Sequence, residues 1–366
     1  MTYFYRILPK IAQLLWSLRA QMAPFVLGWL CSVMACEPIT NKTPHMVTSD
    51  IYLFWEAYDR VSGESDSVRQ IQLFDSMYLQ RGTIGLQRLM QARNYTAAEY
   101  VELINRYPRY WNSIRPNTLK VDTISRQFEQ GIQKFKALYP DLRPATIYFE
   151  IGAMRTNGTA MDSVVLIGCE LAFADSRTDI SEFEGATYDW LSGFFRGNPI
   201  DQLGLLSVHE YVHTQQEPIP DYLLGQVLYE GIAEFIATVA RQQPSYVPAI
   251  AFGERTPEVR EQFEAEMFYG RTHEWLWSNA PNVFGVRDLG YYIGYAIAKA
   301  YHQQAGDKLQ CIKTLVELDY ADRAAVYAVI DQSGFFSKSI TQLALEDKEK
   351  RPVVSEVVPL TRSTRE

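Results

Sequence analysis

Cysteine is scarce in this chain of 366 residues, which contains four in all. Cys31 and Cys36 belong to the N-terminal segment, so the body of the sequence retains only Cys169 and Cys311. Two cysteines cannot form the set of bridges on which disulfide-stabilised domains depend, and the sequence leaves open whether they pair. The fold must therefore rest on a hydrophobic core, for which apolar residues, 47% of the chain, provide enough material.

An excess of basic charge is also missing. The chain has 35 Lys and Arg against 43 Asp and Glu, a formal net charge of -8. The sequence contains no stripe of clustered Lys and Arg residues. Nucleic acid is therefore not expected as a partner. Internal repeats and low-complexity tracts are absent from the sequence as well, so a repeat architecture is not indicated.

The first 35 residues have a different composition from the rest of the chain. They include Arg6, Lys10 and Arg19 but no acidic residue, and an apolar run follows from Met22 to Ala35. A basic start, a short apolar run and small residues near its end are typical of a signal peptide, here residues 1–35. The run is too short to span a membrane comfortably.

The apolar run ends in Val33-Met34-Ala35-Cys36, which resembles the lipobox of bacterial lipoproteins. This resemblance implies lipidation of Cys36 and a bacterial cell-envelope protein, anchored to the membrane by lipid and facing the periplasm or the exterior. Two alternatives remain at this point: a plain secretory signal, or an uncleaved anchor, with Cys36 incidental in either case.

The rest of the sequence divides by its apolar periodicity. Apolar spacings of three and four predict helices before residue 144 and again from about 200 to 346. Between them, two β-branched and aromatic runs, 146–151 and 163–167, predict a pair of strands. The order indicates an α+β fold, mainly helical, with a small sheet beside the helix that carries the active site. The predicted regions are a tether (36–48), a helical N-terminal region (49–144), a catalytic core (145–346) and a loose C-terminal tail (347–366).

The pattern His209-Glu210-Tyr211-Val212-His213 lies in the second helical region. Residues four apart share one face of a helix, so both imidazoles can bind one metal ion. Glu210 is placed to take a proton from a metal-activated water without being a ligand. The pattern therefore predicts a zinc site with Glu210 as the general base, although a surface helix that merely carries these residues would look the same.

A third ligand is needed, and the next apolar helix provides two carboxylates, Glu230 and Glu234, one turn apart. Both require a partner if they are buried, and a divalent cation is such a partner. By position alone either carboxylate can reach the metal. Gly231 predicts a close approach of this helix to the helix of His209 and His213, because it lacks a side chain.

These two motifs together resemble the gluzincin metallopeptidases. The resemblance implies a zincin-like core in which Glu230 is the third zinc ligand and Glu234 supports His209. The later run Gly290-Tyr291-Tyr292-Ile293-Gly294-Tyr295 is similar to predicted zinc-dependent proteases of the DUF2268 kind, found among bacterial lipoproteins. The interval between His213 and Glu230, residues 214–229, is a little shorter than in thermolysin-like members of the group.

Tyr291 and Tyr295 fall on one helical stripe opposite an apolar face. If that stripe faces the cleft, a tyrosine hydroxyl there is a candidate to bind the oxyanion of a tetrahedral intermediate. A solvated helix face is the alternative interpretation of the same stripe.

The expected function is zinc-dependent hydrolysis of a peptide or protein substrate. A different class is also compatible with the sequence: a surface-anchored binding or assembly lipoprotein with a structural or inactive metal site. A zinc hydrolase of non-peptide amides is a third possibility. An open coordination position would separate a catalytic site from a structural one.

The lipobox generates a first testable prediction. Intact-mass measurement of the membrane-extracted protein should show a mature chain that begins at a lipidated Cys36, and Cys36→Ala should move the protein out of the membrane fraction. An unmodified Cys36, or a mature chain that begins elsewhere, would contradict the lipoprotein interpretation.

Overall fold

The computed structural model describes residues 44–268, 271–277 and 282–350. The predicted signal peptide, the lipidation residue Cys36 and the end of the C-terminal tail lie outside these ranges. The described residues belong to one compact unit, which contains both the N-terminal helices and the predicted catalytic core.

The N-terminal region is helical, as predicted. Two of its helices begin at strong caps: Asp66 accepts a hydrogen bond from the Arg69 N–H, and Thr96 and Glu99 form a reciprocal capping box. The helices are α1 (Ser49–Ser62), α2 (Ser67–Phe74) with a π-helical extension (Asp75–Leu79), α3 (Ile84–Arg93), α4 (Ala97–Arg106), α5 (Pro108–Thr118) and α6 (Val121–Leu138).

An aromatic cluster fills the space between these helices. Phe54 is completely buried and contacts the rings of Phe74, Tyr78 and Trp111 at centroid distances of 6.0, 5.4 and 5.2 Å. The hydroxyl of Tyr78 donates to the carbonyl oxygen of Ile151 at 2.9 Å. This bond ties the helical region to the end of a central strand, so the two regions share one core.

The sheet has four strands in the order β1-β2-β4-β3: β1 (His45–Val47), β2 (Thr146–Glu150), β3 (Thr159–Met161) and β4 (Val164–Gly168). The two predicted strands, β2 and β4, are confirmed as neighbours, and they pair in parallel. β3 pairs antiparallel with β4 and forms one edge of the sheet. β1 pairs parallel with β2, so the predicted tether ends before His45 rather than at residue 48.

Helices follow the sheet to the end of the described chain. The α+β, mainly helical class is thereby confirmed. The helices are α7 (Cys169–Ala172), α8 (Gly185–Arg196), a 3-10 turn (Pro199–Gln202), α9 (Leu203–His213), α10 (Leu223–Arg241), α11 (Pro248–Gly253), α12 (Glu258–Glu266), α13 (Thr272–Trp275), α14 (Leu289–Gln304), α15 (Lys308–Val316), α16 (Arg323–Ser333) and α17 (Ile340–Lys350). α17 continues beyond the predicted start of the tail at residue 347.

α9 and α10 form the centre of the molecule. Every residue of α9 from Leu203 to Val212 is buried, because α6 covers one side and α10 another. By length and composition alone α10 could cross a membrane, but 83% of its most apolar window is buried inside the fold. Polar side chains on these two helices therefore lie in a low-dielectric interior, where they need partners.

Gly231 allows a close helix contact, but with a different helix from the one predicted. A Cβ atom at Gly231 would lie 2.1 Å from the carbonyl carbon of Gly294, and one at Gly294 would lie 1.7 Å from the carbonyl oxygen of Val227. The expected approach of Gly231 to the helix of His209 and His213 is therefore wrong. Glu230 faces the helix of His209 and His213. Gly231 is rotated from it by about 100° around the axis of α10 and therefore faces α14.

This contact predicts the effect of a single methyl group. Gly294→Ala should lower the free energy of unfolding by about 3 kcal/mol, because the added carbon meets backbone atoms that cannot move aside. Urea denaturation measures the change. The control is Gly193→Ala on α8, where no atom lies within 4 Å of the new Cβ; it should stabilise the protein by up to about 1 kcal/mol. Equal stability of the two variants would contradict the close contact.

Candidate metal centre

Three side-chain atoms from α9 and α10 converge at one point. His209 Nε2 lies 3.1 Å from His213 Nε2, and Glu230 Oε2 lies 3.3 Å from the first and 3.4 Å from the second. The two histidines meet because residues four apart share a helix face. Glu230 joins them because α10 returns against α9. The structure thus brings together the three residues that the sequence predicted as ligands.

Glu234 fixes the ring of His209. Its Oε2 lies 2.9 Å from His209 Nδ1, and its Oε1 accepts a short hydrogen bond from the Ser245 hydroxyl. A carboxylate can only accept, so the proton of the neutral imidazole is on Nδ1 and the lone pair of Nε2 points toward Glu230. This contact with His209 is the role that the sequence assigned to Glu234.

Gln216 fixes the ring of His213. Its Nε2 donates to the carbonyl oxygen of Tyr229 and to the hydroxyl of Tyr320, both at 3.0 Å. A carbonyl oxygen can only accept, so the amide orientation is determined, and Gln216 Oε1 accepts from His213 Nδ1 at 2.7 Å. His213 Nε2 is therefore also a free acceptor, directed at the other two atoms.

When both imidazoles are neutral, the three converging atoms are all acceptors, with no donor between them. Glu230 Oε2 is buried and has no hydrogen-bond donor among the described residues. Burial lowers the pKa of His209, but its contacts with Glu230 and Glu234 outweigh burial and hold that pKa well above its usual range. A proton on His209 Nε2 satisfies one pair of atoms, whereas a divalent cation satisfies all three at once.

The spacing of the acceptors fits zinc. Tetrahedral zinc at its usual distance of about 2.1 Å from nitrogen and oxygen holds its ligand atoms about 3.4 Å apart. The observed separations are 3.1, 3.3 and 3.4 Å. Two imidazoles and one carboxylate are also a donor set typical of catalytic zinc. These residues therefore fit the ion that the sequence predicted.

Glu210 lies beside the cluster but outside it. Its side chain is buried and rests against Gly158, where a Cβ atom would lie only 2.5 Å from Glu210 Oε1. Burial raises the pKa of Glu210, and the neighbouring His209 and His213 partly offset that effect. A carboxylate with a raised pKa next to a metal site suits a group that takes and returns a proton.

Aromatic rings hold both histidines in place. The ring of Tyr229 stacks on His213 at 4.3 Å with an interplanar angle of 10°, and Tyr291 stacks on His209 at 6.1 Å. The Tyr291 hydroxyl also makes a hydrogen-bonding contact with Glu230, and burial together with that carboxylate raises the pKa of the phenol. Tyr291 thus lies at the candidate site.

Tyr295 does not share that position. It is one turn further along α14, only 8% exposed, and its ring packs against Phe235 at 6.0 Å with Lys299 over its face. The expectation that both tyrosines line the site is therefore corrected for Tyr295. One helical turn advances about 5.4 Å, which carries its side chain past Glu230.

Several residues of the site were not identified from the sequence. Gln216 lies three residues after His213, just beyond the end of α9, and that spacing is the sequence signal for it. Tyr229 and Ser245 gave no such signal, because their contacts depend on how α10 and the segment after it fold back.

Comparison with known protein families, curated proteins and solved structures finds no match. The geometry of the site and the pattern of its residues therefore carry the functional argument.

The roles assigned here predict graded losses of metal affinity. Glu230→Ala removes a ligand and should abolish stoichiometric zinc binding. Glu234→Ala and Gln216→Ala remove only the groups that orient a histidine, so each should weaken zinc binding by about 10- to 100-fold and refill at excess zinc. Competitive titration with a chromophoric chelator measures all three.

The matched control is Gln243→Ala, an exposed glutamine at the end of α10, which should bind zinc as the wild type does. Outright loss of metal in Glu234→Ala with retention in Glu230→Ala would reverse the assignment of ligand and orienting group.

Proposed function

We propose that this protein is a zinc-dependent peptide hydrolase, a metallopeptidase of the gluzincin type. The observation that carries the proposal is the convergence of three metal-directed lone pairs with a non-ligand carboxylate, Glu210, beside them. Structural stability alone does not require this arrangement, because apolar side chains of similar size would fill the same space without leaving buried acceptors to be satisfied.

His209, His213 and Glu230 would hold the zinc ion. Zinc held there would polarise a scissile carbonyl and lower the pKa of water. Glu210 would accept the proton of the attacking water molecule. The same carboxyl group then gives the proton to the departing amine, which balances the reaction without another acid.

Tyr291 is the candidate to stabilise the oxyanion. Its hydroxyl is next to Glu230, and its pKa is raised, so the phenol stays protonated and able to donate. Because the phenol has a single proton, the hydroxyl would turn from Glu230 to the oxyanion as negative charge develops.

The edge of β3 is the proposed docking line for an extended peptide. β3 is an outer strand of the sheet, and Gly158, immediately before it, touches Glu210. A peptide that pairs with this edge gains backbone hydrogen bonds and passes the general base.

A structural metal site in a binding or assembly lipoprotein is the competing interpretation. Structural zinc sites are closed by four protein ligands, whereas catalytic sites keep one position open. Within the described residues the ligand group comprises three side chains. This count favours catalysis, and the lipid-anchored location at the bacterial cell envelope remains part of the proposal on the strength of the lipobox.

Glu210→Gln separates catalysis from metal binding. The amide is nearly isosteric and leaves the ligands intact, so the variant should bind one zinc ion per chain while kcat falls by about 100- to 10,000-fold. Cleavage of a mixed peptide library, monitored by mass spectrometry with and without a chelator, measures the loss.

Glu261→Gln on α12, a change at an exposed glutamate, serves as the control and should leave kcat unaltered. A zinc-loaded Glu210→Gln variant that hydrolyses peptides at the wild-type rate would show that the assigned base is wrong.

A further inference from the structure

Trp277 is a large apolar side chain in an unusual position. It is 46% exposed, whereas the tryptophan two residues earlier, Trp275, is 3% exposed and packs edge-on against Phe263 at 4.9 Å. Trp275 also donates its indole N–H to Glu266. The buried tryptophan of this pair therefore serves the core, and the exposed one requires a different explanation.

The backbone of Trp277 is held in a conformation that favours exposure. Its φ is +55°, in the left-handed region that a bulky side chain seldom occupies. The N–H of Trp277 donates to Asp288 Oδ1 at 2.7 Å, at the start of α14. This bond offsets the strain and fixes the direction of the side chain. Strained residues of this kind concentrate at ligand-contacting positions.

A chain of contacts connects Trp277 with the metal ligands. The Trp277 side chain is close enough to the Tyr291 hydroxyl to interact with it, and the same hydroxyl interacts with Glu230. Tyr291 also stacks on His209. The indole thus lies beside a tyrosine of the metal site, while part of its ring remains accessible to solvent. Among the described residues, no aromatic ring stacks on Trp277.

We propose that Trp277 is a specificity-determining residue that binds a large apolar or aromatic side chain of the substrate next to the scissile bond. This inference rests on the proposed peptidase function. An apolar partner is favoured over a cationic one because Asp288, the acidic group that anchors Trp277, has Arg287 beside it at 3.7 Å, which offsets its charge. An exposed indole face gains most from burying apolar surface of a substrate.

The test uses matched, internally quenched peptides that differ at one position on either side of the cleaved bond. The side chains compared are Phe, Leu, Ala and Lys, and kcat/KM is measured for each with zinc-loaded enzyme. Wild type should prefer Phe and Leu. Trp277→Ala should lower kcat/KM for these two by about 10- to 100-fold while cleavage of the Ala peptide changes by less than about threefold.

Trp277→Phe keeps an aromatic face and should retain most of the preference, which guards against a change due only to altered folding. Tyr52→Ala on α1, an aromatic residue 43% exposed outside the site, is the control and should match wild type. Zinc content of each variant confirms that the metal site is intact.

The outcomes are distinguishable. If wild type cleaves no peptide, the proposed function is wrong and the inference fails with it. Cleavage by wild type with an unchanged preference in Trp277→Ala, or a preference for Lys, overturns the role of Trp277 alone. Uniform loss across all four peptides would also overturn it, because a residue that only positions Tyr291 would affect every substrate equally.

Discussion

Three acceptor atoms face one another in the interior of this protein, and the surrounding structure is arranged to keep them there. Glu234 and Gln216 place the protons of His209 and His213 on the far sides of the rings. When both rings are neutral, the near sides are left with lone pairs that repel one another and the Glu230 carboxylate. Burial raises the cost of this arrangement because no solvent screens it. A bound dication attracts all three acceptor atoms, and the repulsion that it relieves adds to the free energy of metal binding.

The helix framework explains how such a cluster can be held in register. α9 is buried on all sides between α6 and α10, so its two histidines cannot turn toward solvent. α10 packs closely against α14 through the contact between Gly231 and Gly294, which holds α10 in position. α14 also carries Tyr291 at its start. One close helix contact therefore positions both the third ligand and the tyrosine beside it.

Local patterns in the sequence predicted much of this arrangement. The pairing of His209 with His213 followed from their spacing within one helix. The choice of Glu230 as ligand and of Glu234 as support for His209 came from the resemblance to the gluzincin metallopeptidases. The strands β2 and β4 followed from their β-branched composition. The partner of Gly231, the position of Tyr295 and the strand at His45 were not correctly predicted. Each depends on which element packs against another, and that information is spread over residues distant in sequence.

The site also shows why some residues gave no signal at all. Tyr229 acts through contacts between α10 and the turn after α9, and Trp277 acts through a strained backbone that a sequence does not display. Neither residue belongs to a periodic pattern. Their roles emerge only when the donors and acceptors around the histidines are accounted for one by one.

His209, His213 and Glu230 are proposed to bind zinc with a position left open for water. X-ray absorption at the zinc edge, recorded on protein purified with its native metal, measures this coordination. We expect one zinc ion per chain with nitrogen and oxygen neighbours at about 2.0–2.2 Å, two of them imidazoles, and no sulfur ligand. The signal should also change when a small competing anion enters the open position. A protein purified without stoichiometric metal that cannot be loaded with zinc, or a spectrum with four protein ligands that no anion alters, would contradict this proposal.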